Sequence, residues 1–296
     1  SDSGITVDGA TISDDETAAV YAAQDIVYYE EGQGVAYGAG TDADAHSQEE
    51  ADAHTVVHIT QPGTYTLSGT LSAGQIAVDL GDGAEEDPEA VVTIVLDGVD
   101  ITCTVAPAII FYRVYECGSA DMETATQTVD TSAAGANVVI ADGTENRVTG
   151  SHVAKIYKPE SVTMNADGTA VEEAKKLHKY DGALYSKMSM NVSGGEAGTG
   201  TLEIVADNEG LDSELHLTIN SGNIHILAGN DGINTNEDGV SVTTINGGTL
   251  RIEVTGEAGE GDGIDSNGWL VINGGTVIAA ACSDSADSGL DSDNGI

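Results

Sequence analysis

From residue 55 onward, apolar and polar residues alternate in short runs that stop at Gly, Pro, Asn or Asp. Residues 55–60 (TVVHIT), 64–69 (TYTLSG), 75–79 (QIAVD) and 91–96 (VVTIVL) each read as a short strand with a corner after it. Residues 136–140 (ANVVI) followed by 141–146 (ADGTEN) repeat the pattern. Residues 170–179 (AVEEAKKLHK) carry the one helical pattern, inside a segment at about 155–180 that we treat as an insertion.

After the insertion the phrases fall into register. Leu184, Leu211, Ile233, Ile264 and Leu290 form one column, at steps of 27, 22, 31 and 26 residues. Tyr185, Asp212, Asn234, Asp265 and Asp291 follow them, and then Ser186, Ser213, Thr235, Ser266 and Ser292. Val192, Ile219, Ile245 and Ile272 form a second column, and Leu202, Ile224, Leu250 and Val277 a third. Three short strands per repeat of this length predict an all-β chain coiled as a parallel β-helix. Alternation sends the apolar and small hydroxyl residues inward and the Asp/Asn column outward. Asn220, Asn246 and Asn273 then stack as a ladder in one turn. Two regions follow: residues 1–54 as an acidic, irregular lead-in or cap with tyrosines at 21, 28, 29 and 37, and residues 55–296 as the β-helix.

Composition agrees with many short strands. Gly occurs 38 times, Phe and Trp once each. Charge changes the picture more. Fifty acidic residues against nine basic ones give a net charge of −41, which excludes nucleic acid as a partner and disfavours anionic membranes. No stretch is long and apolar enough to span a bilayer. All six lysines lie between Lys155 and Lys187, so the insertion is the one locally basic patch. Cys103, Cys117 and Cys282 lack metal or disulfide-framework spacing and read as free thiols, with a Cys103–Cys117 pair as the alternative.

Carboxylates crowded together repel, and a bound Ca²⁺ ion relieves the repulsion. Glu209, Asp231 and Asp262 precede the repeat glycines; Asp212, Asn234, Asp265 and Asp291 follow the apolar anchor. Stacked on neighbouring coils, these seven form a candidate Ca²⁺ edge, since hard oxygen donors favour Ca²⁺ over Zn²⁺. The plainer reading is that Asp and Asn are turn formers. Trp269 shares a column with Val242 and His216, where alternation points it outward as a sugar-stacking platform or a cover for its neighbours. Tyr185, His216 and Trp269 are the candidate ligand contacts. Lys187 and Arg251 are candidates for the base of a lyase, or plain counter-charges.

The phrases GTYTLSGTL at 63–71, VLDGVDIT at 95–102, GTEN at 143–146 and the Gly-Ile-Asp-Ser and Ile-Asn-Gly-Gly repeats occur in that order. The series resembles the carbohydrate-binding β-helix proteins of bacterial cell surfaces. The resemblance implies a right-handed parallel β-helix of polysaccharide-lyase type, secreted or attached to the bacterial surface. It further implies Ca²⁺ as cofactor, and plant cell-wall polysaccharide, including polygalacturonate and cellulose, as ligand. It spans roughly residues 55–296; the acidic lead-in and the lysine-rich insertion depart from it. The last repeat lacks its following strand, so the natural chain is expected to continue. A non-catalytic binder is the reading adopted. A Ca²⁺-dependent pectate-type lyase and a structural adhesin or stalk are the alternatives.

Overall fold

The computed structural model describes residues 4–28, 46–153, 157–259, 261–282 and 287–296. Tyr29, Tyr37 and Lys155 lie outside them. The repeats form four circuits of three strands. The first strands are Gly182–Ser186, Glu209–Ser213, Ile233–Thr235 and Ile264–Ser266; the second Met190–Gly194, His216–Ile219, Val242–Ile245 and Trp269–Ile272; the third Thr201–Ala206, Asn223–Ala228, Thr249–Val254 and Thr276–Ala281. Each strand pairs in parallel with its counterpart one circuit on. Leu184 meets Leu211, Ile219 meets Ile245, and Ile224 meets Leu250, in the columns expected from the sequence. Leu290 joins by an isolated bridge to Ile264.

Second and third strands belong to one curled sheet, because the eleven-residue strand Val92–Thr102 serves both rows. Its first half pairs with Ala136–Ile140 and its second half with Glu145–Gly150. The corner lies at Gly98, whose φ of 77° a side chain would resist. Asn146 Oδ1 accepts from the Gly98 and Val99 amides at 2.9 and 3.1 Å, which fixes the bend. First strands form a separate parallel sheet, closed at one edge by the antiparallel strand Val20–Ala23 on Thr55–Ile59. That edge strand belongs to the acidic lead-in, and Tyr21 stacks on His58 at 4.4 Å between centroids.

The columns of Ile, Leu and Val fill the interior, with Leu184, Ile204, Ile226 and Ile252 fully buried. The hydroxyl column lies inside as anticipated: Thr235 Oγ1 meets Ser266 Oγ at 3.0 Å. The glycine before the anchors Leu211 and Ile233 has a steric reason. A Cβ on Gly210 would lie 2.5 Å from the Gly232 carbonyl oxygen, and one on Gly232 2.6 Å from that of Gly263. The asparagine ladder is present, with Asn246 Nδ2 donating to Asn220 Oδ1 at 3.0 Å and Asn273 Nδ2 to Asn246 Oδ1 at 2.9 Å.

Two local expectations change. Residues 170–179 are not helical; Val171–Glu173 pairs antiparallel with Thr163–Met164. The turn between them decides it: Gly168 takes a φ of 66°, and Asn165 Oδ1 accepts from the Thr169 amide at 2.9 Å. A ten-residue helix has too few bonds to outcompete such a turn. Conversely, Gln48–Asp52, within a stretch that reads as a loop, is an α-helix whose N-cap Ser47 accepts from Glu50 N. Cys103, Cys117 and Cys282 are free thiols. No helix among the described residues is long and apolar enough to cross a membrane.

Candidate metal-binding edge and aromatic column

The register of the first strands brings the acidic residues together. Tyr185, Asp212, Asn234 and Asp265 occupy one column across four circuits. Glu209, Asp231 and Asp262 stand beside it, tied by the backbone: Asp231 Oδ1 accepts from Asp262 N at 2.7 Å, and Asp262 Oδ1 from Ser288 N at 2.6 Å. Neighbouring strands of a sheet lie ~4.8 Å apart, within the span of one shared cation.

The expectation that this column faces outward holds only at one end. Asp212 is 0 % exposed, Glu209 6 % and Asn234 7 %, whereas Asp265 is half-buried and Asp291 exposed. The inner group is linked by amides. Asn234 Nδ2 donates to Glu209 Oε1 at 3.2 Å and to Asn236 Oδ1 at 3.0 Å; Asn236 Nδ2 donates to Asp212 Oδ1 at 2.7 Å. Three oxygens are left over. Glu209 Oε2, Asp212 Oδ2 and Asn234 Oδ1 are buried and accept from no N–H; with both carboxyls ionised all three are unmet, whereas a proton held between Glu209 and Asp212 joins the first two. Leaving a buried acceptor unmet costs about 1–3 kcal/mol.

Electrostatics matches that geometry. Burial, then Asp181 and Asp231, pushes the Glu209 carboxyl up to about 8. Burial and Glu209 hold the Asp212 carboxyl well above the usual range. Positive charge entering the group favours ionisation of both. Lys176 of the insertion supplies some, with Nζ 2.5 Å from Asp181 Oδ2. Burial pulls its pKa down, but Asp181, Glu209 and Asp212 more than offset this, and the net shift is upward.

At the outer end, carboxylate oxygens of Asp262, Asp265 and Asp291 all lie within 4.8 Å of one another. Ca²⁺–oxygen distances are ~2.3–2.6 Å, so donors on opposite sides of one ion stand about 5 Å apart. Burial, then Asp262 and Asp291, pushes Asp265 up to about 6. Burial pushes Asp231 up to about 7, against the pull of the Asp262 amide. Both groups offer only oxygen, carry formal negative charge and hold unmet or mutually repelling acceptors. The donor sets fit Ca²⁺.

Sequence reasoning missed Asn236, Asp181 and Lys176. Asp181 was hidden because residues 181–186 (DGALYS) carry one residue more than 209–213 (EGLDS), so Gly182, not Asp181, pairs with Glu209. Lys176 reaches the edge by a fold of the insertion that no periodicity announces.

The aromatic column has the expected register, His216 to Val242 to Trp269. Its outward exposure does not hold throughout: His216 is 3 % exposed and Val242 fully buried, and only Trp269 is partly exposed. The cause is residues 114–135, which pack over the second strands and are pinned where Thr131 Oγ1 donates to Thr218 Oγ1 at 2.6 Å. Tyr185 is 1 % exposed, and its hydroxyl donates to Glu214 Oε1 at 2.6 Å, so its ring is no surface platform. Arg251 lies in the curled sheet, not on the acidic edge, and its guanidinium bonds Glu253 Oε1. Lys187 follows the first strand of the first circuit, where its charge adds to burial in depressing His178.

Residues 53–295 match the family of carbohydrate-binding domain-containing proteins, and the chain belongs to it. A carbohydrate-binding domain-containing protein of Acetivibrio thermocellus is 31 % identical over 173 residues, which is 58 % of this chain and 45 % of the relative. The matched segment thus spans less than half of that relative. A solved structure of the polysaccharide lyase-like protein from C. thermocellum, a gadolinium derivative, aligns at a TM-score of 0.44 and 24 % identity, covering 79 % of this chain and 90 % of that one.

Proposed function

We propose that the chain is a right-handed parallel β-helix that binds plant cell-wall polysaccharide, acidic sugars included, with Ca²⁺ and without cleaving it. Its place is outside the cell, secreted or surface-attached. The observation that carries the reading is the trio of buried, unpartnered oxygens on Glu209, Asp212 and Asn234, in line with the Asp262–Asp265–Asp291 cluster. Glu209, Asp212 and Asn234 would hold one ion, and Asp262, Asp265 and Asp291, with Asp231 beside them, another. A chain of net charge −41 repels a polyuronate. Divalent ions on this edge supply the attraction that the chain itself lacks. Of the two candidate bases, Arg251 is committed to Glu253, away from the acidic edge, which favours the non-catalytic reading.

The test is a glycan array with Ca²⁺ and with chelator, paired with a search for unsaturated product from polygalacturonate. The expected result is Ca²⁺-dependent retention without product. Retention that persists in chelator contradicts the Ca²⁺ role, product formation identifies a lyase, and no retention in either condition leaves a structural stalk.

A further inference from the structure

Residues 114–135 do not seal the second strands. Between them and the start of the strands His216–Ile219 and Val242–Ile245 is a cavity of about 260 Å³, whose lining includes none of the acidic-edge residues. One water occupies a share of ~30 Å³, so the space is too large for a structural water. It falls just below the ~300 Å³ at which small-molecule sites begin, which suits one ring and not a chain.

The floor is buried and the rim exposed. His216 and Val240 form the floor; Thr124, Thr126 and Asp130 stand on the rim, with Cys117 between. His216 Nδ1 accepts from the Val242 amide at 3.1 Å. That bond places the ring proton on Nε2. Nε2 has no protein partner among the described residues, and the His216 side chain borders the cavity. Gly118 permits the fit, since a Cβ there would lie 2.6 Å from His216 Cδ2.

We propose that this cavity binds a single uncharged sugar ring, such as the terminal residue of a neutral glycan. The proposal rests on the carbohydrate-binding reading above and adds a second, Ca²⁺-independent locus to it. A sugar presents what the walls require. Its hydroxyls accept from Nε2–H and exchange hydrogen bonds with the Thr124 and Thr126 hydroxyls, while a C–H face covers Val129 and Val240. Charge selects against acids. Burial holds His216 down at about 4, so the imidazole is neutral near pH 7 and offers no cation. Asp130 on the rim and Glu116 beside Cys117 give the opening negative charge, and burial first, then these carboxylates, pushes the Cys117 thiol up to about 11. A uronate would enter against that charge.

The experiment titrates the full chain, in chelator so that the acidic edge is silent, with D-glucose, D-xylose and D-galacturonate. The readout is the His216 imidazole resonances and the Val129 and Val240 methyl resonances, to concentrations well above about 1 mM. The expected result is a saturable shift with a neutral sugar, at least about tenfold tighter than with galacturonate, a gap of ~1.4 kcal/mol. Val129→Trp fills the cavity and should abolish the shift. Absence of any saturable His216 response in the unaltered protein overturns the proposal, as does galacturonate binding equally well. Retention on insoluble polysaccharide with Ca²⁺ is measured on the same protein. Retention without a His216 response overturns the cavity alone. A His216 response without retention overturns Ca²⁺-dependent polysaccharide binding and leaves the cavity standing.

Discussion

Asn234 donates its amide to Glu209 across adjacent circuits at 3.2 Å, while Asn234 Oδ1 and Glu209 Oε2 are both buried without a donor. The pair is half satisfied. A divalent ion would complete it, and Asp212 Oδ2 is the third oxygen in the same group that no N–H reaches.

Ca²⁺ is therefore expected to raise the melting temperature, and chelator to lower it. By linkage, a ligand held at about a hundred times its dissociation constant contributes ~2.7 kcal/mol. Glu209→Gln keeps the shape but removes charge, so it should lose most of the Ca²⁺-dependent increment at the inner site. Differential scanning calorimetry of both proteins, with and without Ca²⁺, reads this directly. An unchanged melting temperature in chelator would show that the edge binds no ion that matters to the fold.

pH should act in an unusual direction. Glu209 is raised from 4.5 to about 8, Asp231 from 3.8 to about 7 and Asp265 from 3.8 to about 6. A carboxyl with a raised native pKa binds its proton more tightly folded than unfolded. Its contribution is complete below the unfolded values near 4 and is lost as pH climbs toward 8. In chelator, these groups should lower the stability between pH 5 and 8. Ca²⁺ should flatten or reverse that slope, because ion binding needs the ionised form. Denaturant titrations at several pH values check the sign.

The glycine columns give a prediction independent of metal. Gly210→Ala should destabilise by about 2 kcal/mol, since overpacking a fitted interior costs roughly 1–3 kcal/mol. Its Cβ meets a carbonyl oxygen, which cannot rotate away. Urea unfolding in chelator measures the effect without interference from the edge.

Asn246 both donates to Asn220 and accepts from Asn273. The ladder is exposed, so water replaces much of what Asn246→Ala removes. The expected loss is about 1 kcal/mol, toward the low end for two hydrogen bonds. A shift in the denaturation midpoint at constant slope is the readout.

Lys176→Met should tighten divalent binding at the inner site, because the tethered ammonium opposes a second cation beside Glu209 and Asp212. Isothermal calorimetry should show a lower dissociation constant for one ion and no change at the outer cluster. An inner-site dissociation constant unchanged by the substitution would assign Lys176 to Asp181 alone.

Much of this was legible in the chain. Leu184, Leu211, Ile233 and Ile264 recur with the same polar neighbours, and stacking identical circuits makes recurrence visible as periodicity. The acidic residues were legible for the same reason. Their burial was not. Asp212 reads like Asp265, yet one is fully buried and the other half in solvent, a difference that their matching place in the repeat does not carry. His216 likewise has the register foretold for it, but not the exposure, since residues 114–135 lack any repeat that would announce where they fold back. Local turn chemistry at Asn165 and Gly168 overrode the helical pattern that follows it.

The carbonyl oxygens that stand where Gly210 and Gly232 lack a Cβ leave no slack between circuits, while the steps of 22 to 31 residues show that the corners absorb differences in length. The protein can therefore gain or lose capacity only in whole units. Duplicating residues 233–263 should lengthen the row by one rung and add one set of ion donors, without disturbing those on either side. The edge is in that sense a ruler, graduated by the peptide spacing, whose length is written in the number of circuits.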